Sequence, residues 1–371
     1  MIFIIFSTRL QLLRIFHPMK MSLSRSLAAC CLILFTTVVH AQPADTNQVD
    51  ALGKKQGYWK KYVKDTLKYE GAFRDDVPVG EFKYYYPEKK IKSTVTYSDK
   101  GLKAVTVNYR ENGSKMAEGE YWDKKKNGTW KYYNESGFLT LEENYKNGVA
   151  DGVWTVYYED GKPAEVKTWV NGRPHGPFIQ FYPDSLVNIK GNYNNGKLDG
   201  PVSHYYLNGK VLVSGAFKED MKDGVWMYFT EIGQADKRHT WSSGSLVKEE
   251  ITTRESGKAV LYLDIDKIAY VFNNQGKVTI RMNDGTDYIS ERTIEEFTRL
   301  LNEYKFYRVN ANYIISLWSL QNRKTYSVYE RMVVLKPASA AAVFVSDDCA
   351  EGFRHWAGLI KGEVDPKNPQ D

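Results

Sequence analysis

Cysteine is nearly missing from this chain. Three occur in 371 residues, at Cys30, Cys31 and Cys349, and the first two lie inside an apolar N-terminal run. A chain cut after that run keeps Cys349 alone, which excludes an intramolecular disulfide, and no CxxC or Cys/His pairing with metal-ligand spacing occurs anywhere. Histidine is scarce too, and His175, His204, His239 and His355 are scattered. There is no nucleophile elbow, zinc-binding helix motif or phosphate loop. The sequence therefore predicts no catalytic residue, no metal and no cofactor, and no small-molecule substrate is evident. His175 falls between Pro174 and Gly176, where a solvated turn side chain is expected. A strong excess of one charge is also absent: the net charge of +6 is mild for this length and is not the mark of an obligatory nucleic-acid binder.

Aromatic residues, by contrast, are abundant. They form 14% of the chain, with 27 Tyr, and such rings favour pleated, half-buried strands, so an all-helical fold is excluded. The length allows about two domains.

Near the N-terminus, Met19, Lys20 and Arg25 make a basic segment, Leu27 to Val39 is a continuous apolar run, and Val39-His40-Ala41 places small residues at cleavage positions. This is the pattern of a secretory signal peptide cut after Ala41. The run is short for a membrane span, which needs about 20 residues. Residues 1–18 read as an upstream extension, with Met19 or Met21 as alternative starts. Export places the protein in the periplasm or outer envelope; an unused signal leaves it cytoplasmic.

The clearest pattern is a repeat. Taking Gly57 as an anchor, equivalent positions fall at Gly80, Ala104, Gly128, Gly152, Gly176, Gly200 and Gly224, a step of 24 after a first step of 23. Five residues after each anchor stand Tyr62, Tyr85, Tyr109, Tyr133, Tyr157, Phe181, Tyr205 and Phe229. Two residues after come Trp59, Phe82, Trp130, Trp154, Phe178 and Trp226, broken only by Thr106 and Val202. Seven residues before successive anchors lie Phe73, Tyr97, Tyr121, Tyr145, Trp169, Tyr193 and Phe217. A second glycine often follows nine residues after the anchor, as at Gly113, Gly137 and Gly161, and pairs such as Asn147-Gly148 and Asn171-Gly172 supply the positive φ of tight hairpin turns. Each unit thus reads as a hairpin. One hairpin cannot bury its own apolar face, so neighbours must join into an elongated twisted sheet carrying a ladder of rings. Gly128, Gly152, Gly176, Gly200, Gly224, Trp130, Trp154, Tyr157 and Trp226 are the predicted structural positions. If Tyr157 is fully buried, Tyr157→Ala should cost roughly 3 to 5 kcal/mol.

The segment Gly152-Val153-Trp154-Thr155-Val156-Tyr157-Tyr158-Glu159-Asp160-Gly161-Lys162 resembles MORN repeats, in particular the variant of bacterial antitoxin-like repeat proteins. The resemblance implies a binding or spacing surface for an unknown protein or envelope partner.

After Gly244 the period is lost. Residues 247–260 read as a polar linker. Alternating strands are expected at Ile268 to Phe272, Lys277 to Met282 and Tyr288 to Ser290. Thr293 with Glu296 forms a capping box opening an amphipathic helix of about three turns. Strands resume at Tyr313 to Leu317, Arg331 to Leu335 and Ala342 to Val345, and a short helix carries Phe353 and Trp356.

This order, with Phe306-Tyr307-Arg308-Val309-Asn310-Ala311-Asn312-Tyr313-Ile314-Ile315-Ser316-Leu317, resembles the LytTR-type DNA-binding domain. Tyr288-Ile289-Ser290, Val343-Phe344-Val345-Ser346 and Phe353-Arg354-His355-Trp356 support the resemblance. It implies a bacterial transcription regulator that reaches DNA grooves from loops and strand ends. Arg308, Asn310, Asn312, Arg323 and Lys324 are then the candidate DNA contacts, the cations for phosphates and the amides for base edges. The sequence departs from the family at Ala311, where a basic residue is usual, at Ser316, where Asn is usual, and at Asp347 and Asp348, which would face phosphates. Residues 258–361 hold 14 Lys and Arg against 12 Asp and Glu, a net of +2.

The expectation is a mainly β protein: a leader at 1–41, MORN-type hairpin repeats at 42–246, a linker at 247–260, a LytTR-like domain with two short helices at 261–362, and a tail at 363–371. Two functions follow from it. One is a non-enzymatic DNA-binding regulator with a repeat scaffold. The other is an exported envelope interaction protein whose LytTR-like domain has lost DNA binding.

Overall fold

A computed structural model describes residues 46–254, 259–320 and 331–358. The segment 1–41 read as a leader, and Arg323 and Lys324, lie outside them. Among the described residues between Gln48 and Asp264 the chain runs back and forth as an antiparallel sheet of 21 strands, in which Val149–Ala150 and Gly152–Tyr157 both pair with Leu139–Lys146, and Lys197–Leu198 and Gly200–Tyr205 both pair with Val187–Asn194.

The anchor glycines do not form the turns. Gly80, Gly128 and Gly224 lie inside the strands Val77–Tyr85, Lys125–Tyr133 and Met221–Phe229, with φ of 70°, 65° and 71°. A left-handed residue in mid-strand inserts a bulge, and glycine adopts that conformation without a Cβ penalty. Pairing skips at these points, as between Glu118↔Lys131 and Glu120↔Asn127. The bulge puts the ring two residues later onto the buried face: Phe82, Trp130 and Trp226 are 1%, 2% and 2% exposed. Beneath them lie Gly71, Gly119 and Gly215, where an added Cβ would overlap the ring of Phe82, Trp130 or Trp226 respectively. Ring and glycine are therefore one packing unit.

Phe82 and Trp154 each sit between the ring that precedes their own anchor and the ring that precedes the next one. Phe82 meets Phe73 and Tyr97 edge-on, both at 5.1 Å, and Trp154 lies 5.6 Å from Tyr145 and 4.6 Å from Trp169. Such pairs stabilise beyond the area they bury.

Tyr157 differs from expectation, being only partly buried. It belongs to a second series in which the fifth residue after the anchor donates its hydroxyl to a glutamate one strand back: Tyr157 to Glu142 at 2.7 Å, Tyr85 to Glu70 at 2.5 Å, and Tyr133 to Glu118. The phenol end needs a polar partner, which keeps these rings near the solvated face.

The first half of the polar stretch read as a linker, 247–253, is sheet. Ser245–Thr253 pairs with Ala235–Ser242 on one side and with Leu261–Asp264 on the other. Its polar groups are matched rather than solvated. Glu250 takes Arg238 at 2.5 Å and Lys248 at 2.8 Å, Glu249 meets His239 at 3.1 Å, and Thr252 donates to the Asp236 carbonyl at 2.8 Å. Ile251 is fully buried.

The C-terminal domain is a five-stranded antiparallel sheet, in the spatial order Asp287–Ser290, Lys277–Met282, Ile268–Asn274, Tyr313–Ser316 and Phe306–Arg308. One face packs on the helix Ile294–Leu300 through Ile294 and Phe297, together with Ile251 and Leu263 from the repeat side. The other face packs on Phe353 and Trp356 of the helix Ala350–Gly358 and on Val333, Leu335, Val343 and Val345. The Thr293–Glu296 capping box is present, and the helix stops at Leu300, shorter than its apolar spacing suggested. The strand expected at Arg331 to Leu335 is regular only at Met332–Val333, paired with Val343–Phe344.

Candidate nucleic-acid interface

Arg308, Asn310 and Asn312 occupy one hairpin tip, between the strands Phe306–Arg308 and Tyr313–Ser316. The Val309 amide closes the tip on the Tyr313 carbonyl at 3.0 Å. Asn310 is fixed twice: Nδ2 donates to the Phe344 carbonyl at 2.7 Å, and Oδ1 accepts from the Asn312 amide at 2.8 Å. With Ser346 N bonded to the Val309 carbonyl at 2.9 Å, the tip is fastened to the chain leading into the last helix. Asn310 is thus a structural amide.

Arg308 is committed as well. Its Nη2 lies 2.8 Å from Glu295 Oε1, and Nε and Nη2 donate to the carbonyls of Asn310 and Ala311, each at 3.2 Å. Asn312 is exposed, and its side-chain amide has no hydrogen-bond partner among the described residues. Ala311 is also exposed, whereas Ser316 is fully buried and its hydroxyl has no partner among the described residues.

The same surface carries Asp347 and Asp348. Both are exposed, and Asp347 pairs with Arg331. Hydrogen bonding to Ser346 holds the Asp348 carboxyl below the usual aspartate range. Elsewhere in the domain Arg281 pairs with Asp287, Lys305 with Asp266 at 2.7 Å, and Arg292 with Asp236 at 2.8 Å. Lys277, Arg299, Lys336 and Arg354 are exposed and have no carboxylate partner among the described residues. The structure therefore gathers Arg308, Asn310 and Asn312 in one place and leaves Asn312 alone with a free side chain.

The anchor glycines Gly128, Gly152, Gly176, Gly200 and Gly224 all have positive φ. Trp130 and Trp226 are buried, and Trp154 is partly so. One regular contact escaped sequence reading. The residue six after the anchor donates its hydroxyl to a carbonyl in the next unit: Tyr158 to Phe181 at 2.6 Å, Tyr182 to Tyr205 at 2.8 Å, Tyr206 to Phe229 at 2.7 Å, and Tyr86 to Tyr109 at 3.0 Å. Arg110 takes this role in its own unit, donating to the Tyr133 carbonyl at 2.5 Å. The recurrence of Tyr at this offset was the available signal.

An extended antiparallel repeat sheet continuing into a small sheet with a core on each face defines a two-module protein. Comparison with known families assigns both modules. Residues 258–358 match the LytTr DNA-binding domain, and residues 78–99, 126–147, 150–171 and 198–219 match the MORN repeat variant. The chain carries a LytTr DNA-binding domain behind MORN repeats. Both are binding modules rather than enzyme families. Among solved structures, the LytTr DNA-binding domain of a Bacillus cereus protein described as a methyl-accepting/DNA response regulator aligns at 18% identity with a TM-score of 0.25, over 29% of this chain and 96% of that one. No curated protein matches.

Proposed function

We propose that this is a non-enzymatic regulator in which the LytTr domain engages DNA and the repeat sheet receives a protein partner. The observation that carries the reading is the match to a DNA-binding domain over 258–358, nearly the whole C-terminal module. Phosphate contact falls to the exposed cations Lys277, Arg299, Lys336 and Arg354 together with Arg323 and Lys324, and base contact to Asn312. The test is duplex binding by the full chain across a salt series. Affinity falling steeply with salt supports the reading, and a flat response or no binding at low salt overturns it.

A second reading is favoured by a specific observation. Arg281, Arg292, Lys305, Arg308 and Arg331 are each neutralised by a carboxylate, and Asp347 and Asp348 lie beside the hairpin tip. On this reading the protein is exported through its N-terminal leader and its LytTr domain serves protein contact in the envelope. Cell fractionation with N-terminal sequencing separates the two. A Gln42 terminus outside the inner membrane supports export, and an uncut cytoplasmic chain supports the DNA regulator.

A further inference from the structure

The ring ladder has a gap at the unit anchored by Ala104. In the neighbouring units the residue two after the anchor is an aromatic ring, Phe82 held between Phe73 and Tyr97 and Trp130 packed against Tyr121. At the equivalent place stands Thr106, between Tyr97 and Tyr121, and Val95 faces it across the strand pair. Ala104 takes the anchor position, and pairing from Lys103 onward runs against Ile91–Ser98 without a bulge.

The missing ring leaves space. A cavity of about 580 Å³ opens here, lined among others by Val95, Ala104, Thr106, Tyr97, Tyr121, Pro78 and Leu102. Thr106 and Ala104 are buried at 3% and 8% exposure, so both lie on the packed face of the sheet. Asp76, Lys100, Asp123 and Lys124 also line the cavity, so the space is apolar around Thr106 and charged where the hairpin turns border it, and its size is that of a small-molecule pocket. Tyr97 already shares a hydrogen bond with Tyr84 at 3.1 Å, while the Tyr121 hydroxyl has no partner among the described residues and can receive a polar group of the ligand.

We propose that this cavity binds a small planar aromatic molecule, which enters between Tyr97 and Tyr121 and takes the place of the absent ring. The fold itself states the preferred occupant, because the corresponding space in the adjoining units is filled by a phenyl or indole group, Phe82 at 5.1 Å from Tyr97 and Trp130 at 4.8 Å from Tyr121. Edge-on and tilted contacts of this kind are favourable for any ring of similar shape. The inference is independent of whether the C-terminal domain binds DNA.

The experiment is calorimetric titration of the full chain with indole as the probe. Wild type should give saturable binding, and Thr106→Trp, which places a covalent ring at this position opposite Val95, should abolish it in the folded protein. Val202→Trp, which alters the other non-aromatic position, should leave indole binding unchanged. Should Thr106→Trp fail to fold, Tyr121→Ala removes one wall and should weaken binding at least about tenfold, given that one ring contact and its buried area are lost. Absence of binding to wild type, or equal binding by wild type and the Thr106 or Tyr121 variant, overturns the proposal.

Discussion

Nη2 of Arg308 lies 2.8 Å from Oε1 of Glu295, so a hairpin-tip cation is bonded to the first turn of the neighbouring helix. The same guanidinium donates to the carbonyls of Asn310 and Ala311. An arginine held in this way is poorly placed to reach a phosphate. If the domain binds DNA through this tip, Glu295→Gln should release Arg308, strengthen binding and steepen the salt dependence by about one counterion. Binding isotherms at several salt concentrations read both quantities; identical slopes for the two proteins would place Arg308 away from DNA.

The two aromatic series should differ in what they contribute to stability. Trp130, buried and 4.8 Å from Tyr121, should lose about 3–5 kcal/mol on Trp130→Ala. Tyr157→Ala removes a half-buried ring and one charged hydrogen bond, and the expected loss is nearer 2 kcal/mol. Denaturant unfolding of both variants ranks them, and an equal or reversed order would contradict the assignment of Trp130 to the core.

Glycines of the repeat should also separate into two kinds. Gly119→Ala drives a methyl group into the Trp130 ring, and overpacking of this sort costs about 1–3 kcal/mol. At Gly128 the surroundings are open but φ is 65°, so Gly128→Ala carries only backbone strain, about 1–2 kcal/mol. Pairing each with Trp130→Ala distinguishes the mechanisms: removing the ring should rescue Gly119→Ala and leave Gly128→Ala unrescued.

The tyrosine–glutamate series makes stability depend on pH. Glu70, Glu118 and Glu142 are held below the ordinary glutamate range, first by the hydroxyls of Tyr85, Tyr133 and Tyr157 and further by nearby lysines. Burial together with Glu118 pushes the Tyr133 hydroxyl up to about 12, so it remains a donor at neutral pH. A carboxyl with a depressed folded pKa contributes stability above its unfolded pKa and loses that contribution as pH falls through the folded value. The triple variant Tyr85→Phe, Tyr133→Phe, Tyr157→Phe should therefore show its full deficit, about 1 kcal/mol per pair after solvent screening, at pH 7. The deficit should close on acidification below the glutamate range. A gap between variant and wild type that stays constant with pH would show that the hydroxyls do not act on ionised carboxylates.

Arg292 joins the modules. It pairs with Asp236 at 2.8 Å and donates to the Thr252 hydroxyl at 2.9 Å, both in the final strands of the repeat sheet. Replacing it with Met keeps the apolar stem and removes the charge, leaving Asp236 and Thr252 short of a donor, at a cost of about 1–3 kcal/mol. Hydrogen exchange should rise first in Ser245–Thr253. Unchanged protection there would mean that Ile251 and Leu263, packed in the same core, hold the junction alone.

The repeat was legible because its period repeats one steric problem many times. A strand bulge admits glycine at positive φ, and the ring it turns inward must meet a glycine or another ring, so anchor and aromatic positions recur together. The LytTr elements were legible for a different reason: the Thr293–Glu296 capping box and the alternation in Lys277–Met282 are local patterns with local causes. The strand at 245–253 was not, since Glu249, Glu250, Thr252 and Thr253 look solvated until Arg238, His239 and the Asp236 and Ile289 carbonyls are seen to face them.

By itself, then, the sequence determined the β class, the 24-residue hairpin period and the kind of each module, because backbone stereochemistry and burial periodicity are written in residue order. The tertiary structure alone decided which aromatics are core, that Arg308 and Asn310 are consumed by neighbours, and that a cavity opens beside Thr106. Each of these depends on which groups meet across strands, and hydrogen bonds, ion pairs and cavities are properties of such meetings rather than of any stretch of chain.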